Sequence, residues 1–142
     1  MSASARYHAP FAEGGSSPVD AALIQRLLSA ALDRGGDYAD LFFEYVVSGS
    51  YALEEGILKS ASRAVSMGLG VRVLSGDATG FAYVQELTPE AMLHAARTAA
   101  AIAQSGAHVA PVAVQASRGG ATRYEPKEPT LDVAGEQKRA LL

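Results

Sequence analysis

Residues 66–84 read SMGLGVRVLSGDATGFAYV, and no other stretch restricts the possible folds of this chain so strongly. Met67, Leu69, Val71 and Val73 alternate with Ser66, Gly68, Gly70 and Arg72, the period of two that gives a strand one buried face. Ser75, Gly76 and Asp77 follow. Gly76 tolerates positive φ, and the Asp77 carboxylate can accept hydrogen bonds from nearby amides, so the segment predicts a turn. From Thr79 to Val84 the alternation resumes, with Phe81 and Tyr83 on one face and Gly80, Ala82 and Val84 on the other. Two such runs around such a turn predict an antiparallel hairpin.

Gly68 and Gly70 point away from Leu69, Val71 and Val73, which leaves that side of the strand nearly bare and open to close approach. A packed helix, an aromatic ring from the next strand, a bound peptide or a partner subunit could fill the space. A phosphate loop does not fit. The glycines lie inside a strand, and neither a third glycine at dinucleotide spacing nor a Gly-Lys-Ser/Thr run follows.

The remaining sequence supplies elements to pack on this hairpin. Ser17 as N-cap, Pro18 at the first helical position and Asp20 near the dipole's positive end predict a helix over 17–34. Its apolar stripe is Val19, Leu23, Ile24, Leu27, Leu28 and Ala31, and Gly35-Gly36 ends it. Tyr38–Val47 is aromatic and β-branched, with Leu41, Phe43, Tyr45 and Val47 on one face, and reads as a strand near the sheet centre. Ser48-Gly49-Ser50 predicts a bend or bulge, Tyr51–Glu54 an extended continuation, and Glu55-Gly56 a turn into a strand from Ile57 to about Val65. Leu87-Thr88-Pro89-Glu90 starts a second helix, 88–104, capped by Thr88. Its apolar side is Met92, Ala95, Ala96, Ala99, Ile102 and Ala103, small residues that allow close approach to a sheet.

These elements predict an α+β fold: an antiparallel sheet of four or five strands with two helices packed on one face, forming an N-terminal domain over 17–106. Residues 1–16 read as a flexible lead-in, and 107–130, with Pro111, Pro126, Pro129 and Gly119-Gly120, as a linker or extended arm. Residues 131–142 look like the start of a helix cut short. A domain seldom stops mid-helix on Leu-Leu, so the expectation is an N-terminal piece of a longer protein.

The sequence has 142 residues, 49% of them hydrophobic, enough for one core although alanine inflates the figure. A net charge of −3, with basic residues scattered, gives no electrostatic footprint for nucleic acid. Cysteine is absent, which excludes disulfides, a thiol nucleophile and thiolate metal ligands. No apolar run is long enough for a membrane-spanning helix and the N-terminus lacks a secretory apolar segment, so the default expectation is cytoplasmic, with no membrane partner.

From Asp37 to Ala103 the order DYADLFFEY, LEEGILKSAS, GLGVRVLSGDATGFAY and a Leu-Thr-Pro-Glu helix start resembles the N-terminal region of the TldD/PmbA family, zinc metallopeptidases also called modulators of DNA gyrase. The VLSGDATGFAY run, Tyr124-Glu125-Pro126 and EQKRALL resemble the TldD branch rather than the PmbA (TldE) branch. The resemblance implies a cytosolic peptidase that works as a heterodimer with a TldE/PmbA-like subunit, or as a homo-oligomer, on peptides or unfolded proteins. It also implies zinc in the full-length protein, held by a HExxxH helix and a later cysteine beyond this region. The histidines here are His8, His94 and His108, none followed by glutamate at that spacing. No catalytic or metal-binding residue is therefore carried over, and this chain alone is expected to be inactive and free of cofactor.

Other polar residues read as structural. Glu54 and Glu55 are adjacent on extended chain and point to opposite faces, so they cannot flank one bond. Arg63 and Arg72 could clamp a carboxylate or phosphate, but a strand arginine lying along a polar sheet face is the commoner arrangement. Ser60, Ser62, Ser66 and Ser75 have no histidine near them in sequence to serve as base. Phe42, Phe43, Tyr45, Tyr51, Phe81 and Tyr83 suit core and cross-strand packing. The residues expected to face a partner or substrate are Gly68, Gly70, Arg72, Tyr51 and Tyr83. Two functions compete: a non-catalytic N-terminal domain that shapes a metallopeptidase's substrate chamber or subunit interface, and a stand-alone module that captures a peptide or partner at a sheet edge.

Overall fold

The computed structural model of the chain describes residues 9–104, 130 and 132–142. The described residues form a three-stranded sheet and three helices in the order α1 (Ala21–Leu32), β1 (Tyr38–Glu54), β2 (Ile57–Ser75), β3 (Ala78–Val84), α2 (Pro89–Ile102) and α3 (Gly135–Ala140). They divide into two compact units. The first contains the described residues up to Val46 and those from Val65 to 104; the second contains Val47–Ala64 and the described residues from 130 onward.

The fold is α+β, with the sheet order β1-β2-β3. Among the described residues the strands number three rather than the expected four or five, because two of the expected breaks do not occur. β2 runs unbroken for 19 residues through Val65 and Ser66, where no residue breaks the alternation. β1 runs for 17 residues through Ser48-Gly49-Ser50. There the Ser50 and Ser62 hydroxyls bond across the hairpin at 2.8 Å, so the serines tie the two strands together. β1 is accordingly an edge strand and β2 the centre, the reverse of the sequence expectation.

β2 and β3 pair antiparallel from Leu69↔Val84 to Ser75↔Ala78, so the turn is Gly76-Asp77 and Ser75, expected in the turn, is the last residue of β2. Gly76 has φ 55, and a glycine with positive φ at the first turn position belongs to the II′ type, whose twist suits a hairpin. The amide of Gly76 is held by Asp37 rather than by Asp77, with N–H to Asp37 Oδ2 at 2.6 Å. Asp37 donates its own N–H to Leu74 O at 2.8 Å. The carboxylate at the start of β1 thus fixes the far turn.

In the first unit, Leu69, Val71 and Val73 of β2 meet Leu27 and Ala31 of α1 and Met92, Ala95, Ala96, Ala99 and Ala103 around α2 in one buried cluster. The expected placement of both helices on one face is correct. The small residues of α2 allow this: a Cβ at Gly80 would fall on the carbonyl oxygen of Ala99 and within 2.8 Å of Ala103 N, so helix backbone rests directly on β3. Ile102, expected in the core, is 57% exposed at the last turn, while Ala100 is buried.

The capping of α2 matches the sequence reading: Thr88 Oγ1 accepts from Ala91 N at 3.3 Å and Pro89 opens the helix. For α1 it does not. The N-cap is Asp20, which accepts from Leu23 N at 2.7 Å. Ser17 and Val19 instead donate their amides to Pro10 O and Phe11 O at 2.8 and 2.9 Å, an arrangement that keeps 17–19 out of the helix. Of the lead-in read as 1–16, residues 9–16 carry these turns, and the Phe11 ring packs 5.3 Å from Phe43. The linker read as 107–130 lies, apart from Thr130, outside the described residues.

Candidate functional site

Alternation gives the sheet of the first unit two different faces. Leu69, Val71 and Val73 enter the core, so Gly68, Gly70 and Arg72 lie on the opposite side. On β3, Phe81 and Tyr83 share that side. On β1, Ala39, Leu41 and Phe43 pack toward the core, which turns Tyr38, Asp40 and Phe42 outward. The result is an open face carrying four aromatic rings: Tyr38 is 50% exposed, Phe42 66%, Phe81 58% and Tyr83 48%.

The bareness expected at Gly68 and Gly70 is filled from within. Both glycines are buried. A Cβ at Gly68 would meet the Tyr83 hydroxyl, Cζ and Cε2, and one at Gly70 would lie 3.3 Å from Phe81 Cε2. Each ring leans diagonally onto a glycine two residues from its register partner, Tyr83 being opposite Gly70 and Phe81 opposite Arg72. Aromatic rings of the neighbouring strand are therefore the occupant, and the outer surfaces of those rings are what a partner would touch.

Arg72 is also engaged. Its Nε donates to Asp40 Oδ1 at 3.0 Å and its Nη2 to Asp40 Oδ2 at 2.7 Å, a bidentate fork across β1 and β2. The hydrogen bond and charge of Asp40 raise the Arg72 pKa further above its ordinary value. A guanidinium so paired is no free anion clamp, and the pair leaves the middle of the face without net charge. Glu44, exposed and next in the alternation on β1, puts a negative charge toward one end.

Tyr51 does not join this face; it belongs to the second unit. There it lines a cleft of about 750 Å³ with Val47, Ser62, Arg63, Lys138 and Leu141. Nearby, Lys59 Nζ lies 3.9 Å from Glu54 Oε2, both exposed. Glu55 sits in the hairpin turn with φ 50, ahead of Gly56 at φ 75. The structure thus brings together Gly68, Gly70, Arg72 and Tyr83 of the expected contact set, separates Tyr51 from them, and adds Tyr38, Asp40 and Phe42. The added three were legible as the even-numbered face of β1, opposite Leu41 and Phe43.

Among the described residues no three His, Cys, Asp or Glu side chains gather as metal ligands would. His94 is exposed on α2, while His8 and His108 lie outside the described residues. Ser75 is 3% exposed and donates its hydroxyl to Gly35 O at 2.9 Å, which commits it to structure. No described helix is long and apolar enough to cross a membrane.

Comparison with known proteins matches residues 39–103 to the family model described as PmbA/TldA metallopeptidase domain 1. A protein of Haemophilus influenzae named "Metalloprotease TldD homolog" is 41% identical over 71 residues, 50% of this chain and 15% of that protein. One of the same name from Buchnera aphidicola subsp. Schizaphis graminum is 36% identical over 66 residues, 46% of this chain and 14% of that protein. The chain thus spans about one seventh of the length of these relatives. The matched segment begins in β1 and ends just after α2, so from the sheet to the second helix the chain is similar to the first domain of the TldD/PmbA metallopeptidases.

Proposed function

We propose that this chain is the non-catalytic N-terminal domain of a TldD-branch zinc metallopeptidase that hydrolyses peptides or unfolded proteins in the cytoplasm, and that it shapes the substrate chamber or the subunit interface. The observation that carries the reading is the coincidence of the family's first domain with β1 through α2. The names of the matched relatives support peptidase chemistry in the parent protein. The absence of cysteine from the sequence supports placing the zinc ligands elsewhere in that protein. Its partner in this reading is a TldE/PmbA-like subunit or a second copy.

The test compares the complete gene product with residues 1–142. Zinc measured by mass spectrometry and hydrolysis of a denatured protein substrate are expected in the former and absent from the latter. Stoichiometric zinc or hydrolysis in residues 1–142 would sink the proposal. The other reading, a stand-alone peptide-binding module, is favoured by one observation: β3 pairs with β2 only from Leu69 to Ser75, so among the described strands the rest of β2 is paired on the β1 side alone. A natural stop codon after Leu142 would decide for it.

A further inference from the structure

We infer that the open aromatic face of the first unit is covered, in the complete protein, by an uncharged apolar layer supplied by the rest of the same polypeptide. The inference rests on the reading of this chain as one domain of a longer protein, and it names the surface through which that domain is held.

Three observations select this occupant. The first is apolar area. With Tyr38, Phe42, Phe81 and Tyr83 about half exposed or more, the face offers about 450 Å² of aromatic surface, taking about 200 Å² for a whole ring side chain. That is the size of the largest apolar patch on a typical monomer, which often serves as a contact surface. It is also about half of the ~800 Å² that each partner buries in a stable free-standing complex. A second copy meeting this face would need as much area again from elsewhere. A covalently attached layer would not, because the tether supplies an effective concentration that a separate molecule lacks.

The second observation is charge. Arg72 and Asp40 already satisfy each other through two hydrogen bonds. A covering layer need bring no counter-ion, and the pair enters the contact with its fork already formed. An acidic layer would instead bring a carboxylate for which this face has no free cation, Arg72 being already paired. The rim at Glu44 is where polar contact begins. The third observation is length: the matched relatives carry most of their chain outside the segment aligned here, so in a protein of their length there is ample polypeptide to provide the layer.

Hydroxyl-radical footprinting of the complete gene product tests this. Tyr38, Phe42, Phe81 and Tyr83 should be labelled far more slowly than the roughly half of the urea-unfolded rate that their exposure in this structure would give, equally at high and low protein concentration. The Phe42→Glu variant should restore labelling at Phe81 and Tyr83 while the amides of Leu69, Val71 and Val73, on the core-facing side, keep their exchange protection. Labelling of the four rings at half the unfolded rate or faster, as their exposure here would give, would overturn the inference. So would protection that fades on dilution, which would assign the face to a second copy, or a gene product that ends at Leu142. Zinc content and peptidase activity of the same preparation report on the functional reading separately; their absence would sink that reading and leave the footprint intact.

Discussion

A methyl group at residue 80 and one at residue 68 face different obstacles, and the difference sets two magnitudes. At Gly80 the obstacle is helix backbone, Ala99 O and Ala103 N, which cannot move without lifting α2 from the core. Gly80→Ala is expected to lower stability by about 3 kcal/mol, at the upper end of overpacking costs, read from the urea unfolding midpoint. At Gly68 the obstacle is the far end of the Tyr83 side chain, which is half exposed and held only by a long 3.5 Å bond from its hydroxyl to Met67 O. Gly68→Ala should therefore cost only about 1 kcal/mol, together with a change in Tyr83 fluorescence or NMR shift. Equal costs at the two positions would contradict this packing. At Arg72 the raised pKa adds stability that is present below the ordinary arginine value and lost only as pH climbs through the raised one. That window lies above ordinary working pH, so the pair with Asp40 behaves as a fixed neutral unit with respect to Arg72.

At the level of elements, caps and turns decide where strands and helices begin. Asp20 rather than Ser17 caps α1, so Asp20→Ala should cost about 1 kcal/mol while Ser17→Ala leaves the unfolding midpoint almost unchanged. A larger effect at Ser17 would restore the longer helix. Both residues are good caps by type, and only the hydrogen bonds of Ser17 and Val19 to Pro10 and Phe11 decide between them. The β1–β2 turn carries Glu55 in the left-handed region, where asparagine is at home and a long side chain is not. Glu55→Asn is expected to stabilise the hairpin by about 1 kcal/mol, seen as slower amide exchange near residues 53–58. The strand count among the described residues differs from the sequence expectation for a related reason. Ser48-Gly49-Ser50 has the composition of a break, but the partner strand offers Ser62 to bond Ser50, and cross-strand partners are invisible to a local reading.

For the whole molecule, the division into two units makes a direct prediction. The buried cluster lies wholly within the first unit, so replacing residues 48–63 by an Asn-Gly turn should leave the amides of Leu69, Val71 and Val73 protected and unfolding cooperative. Loss of that protection would show that the long hairpin supports the core. The sequence by itself determined the β2–β3 hairpin, the start of α2 and its buried side from Met92 to Ala99, and the family resemblance that the matched relatives bear out. These follow from local alternation, capping and residue order, all of which are carried by neighbours along the chain. Only the tertiary structure decided that two rings fill the glycine side of β2, that Asp40 engages Arg72 and that Tyr51 belongs to another unit. Each of those outcomes depends on residues distant in the chain meeting in space, and an alternating pattern fixes which side a residue faces without fixing what it finds there.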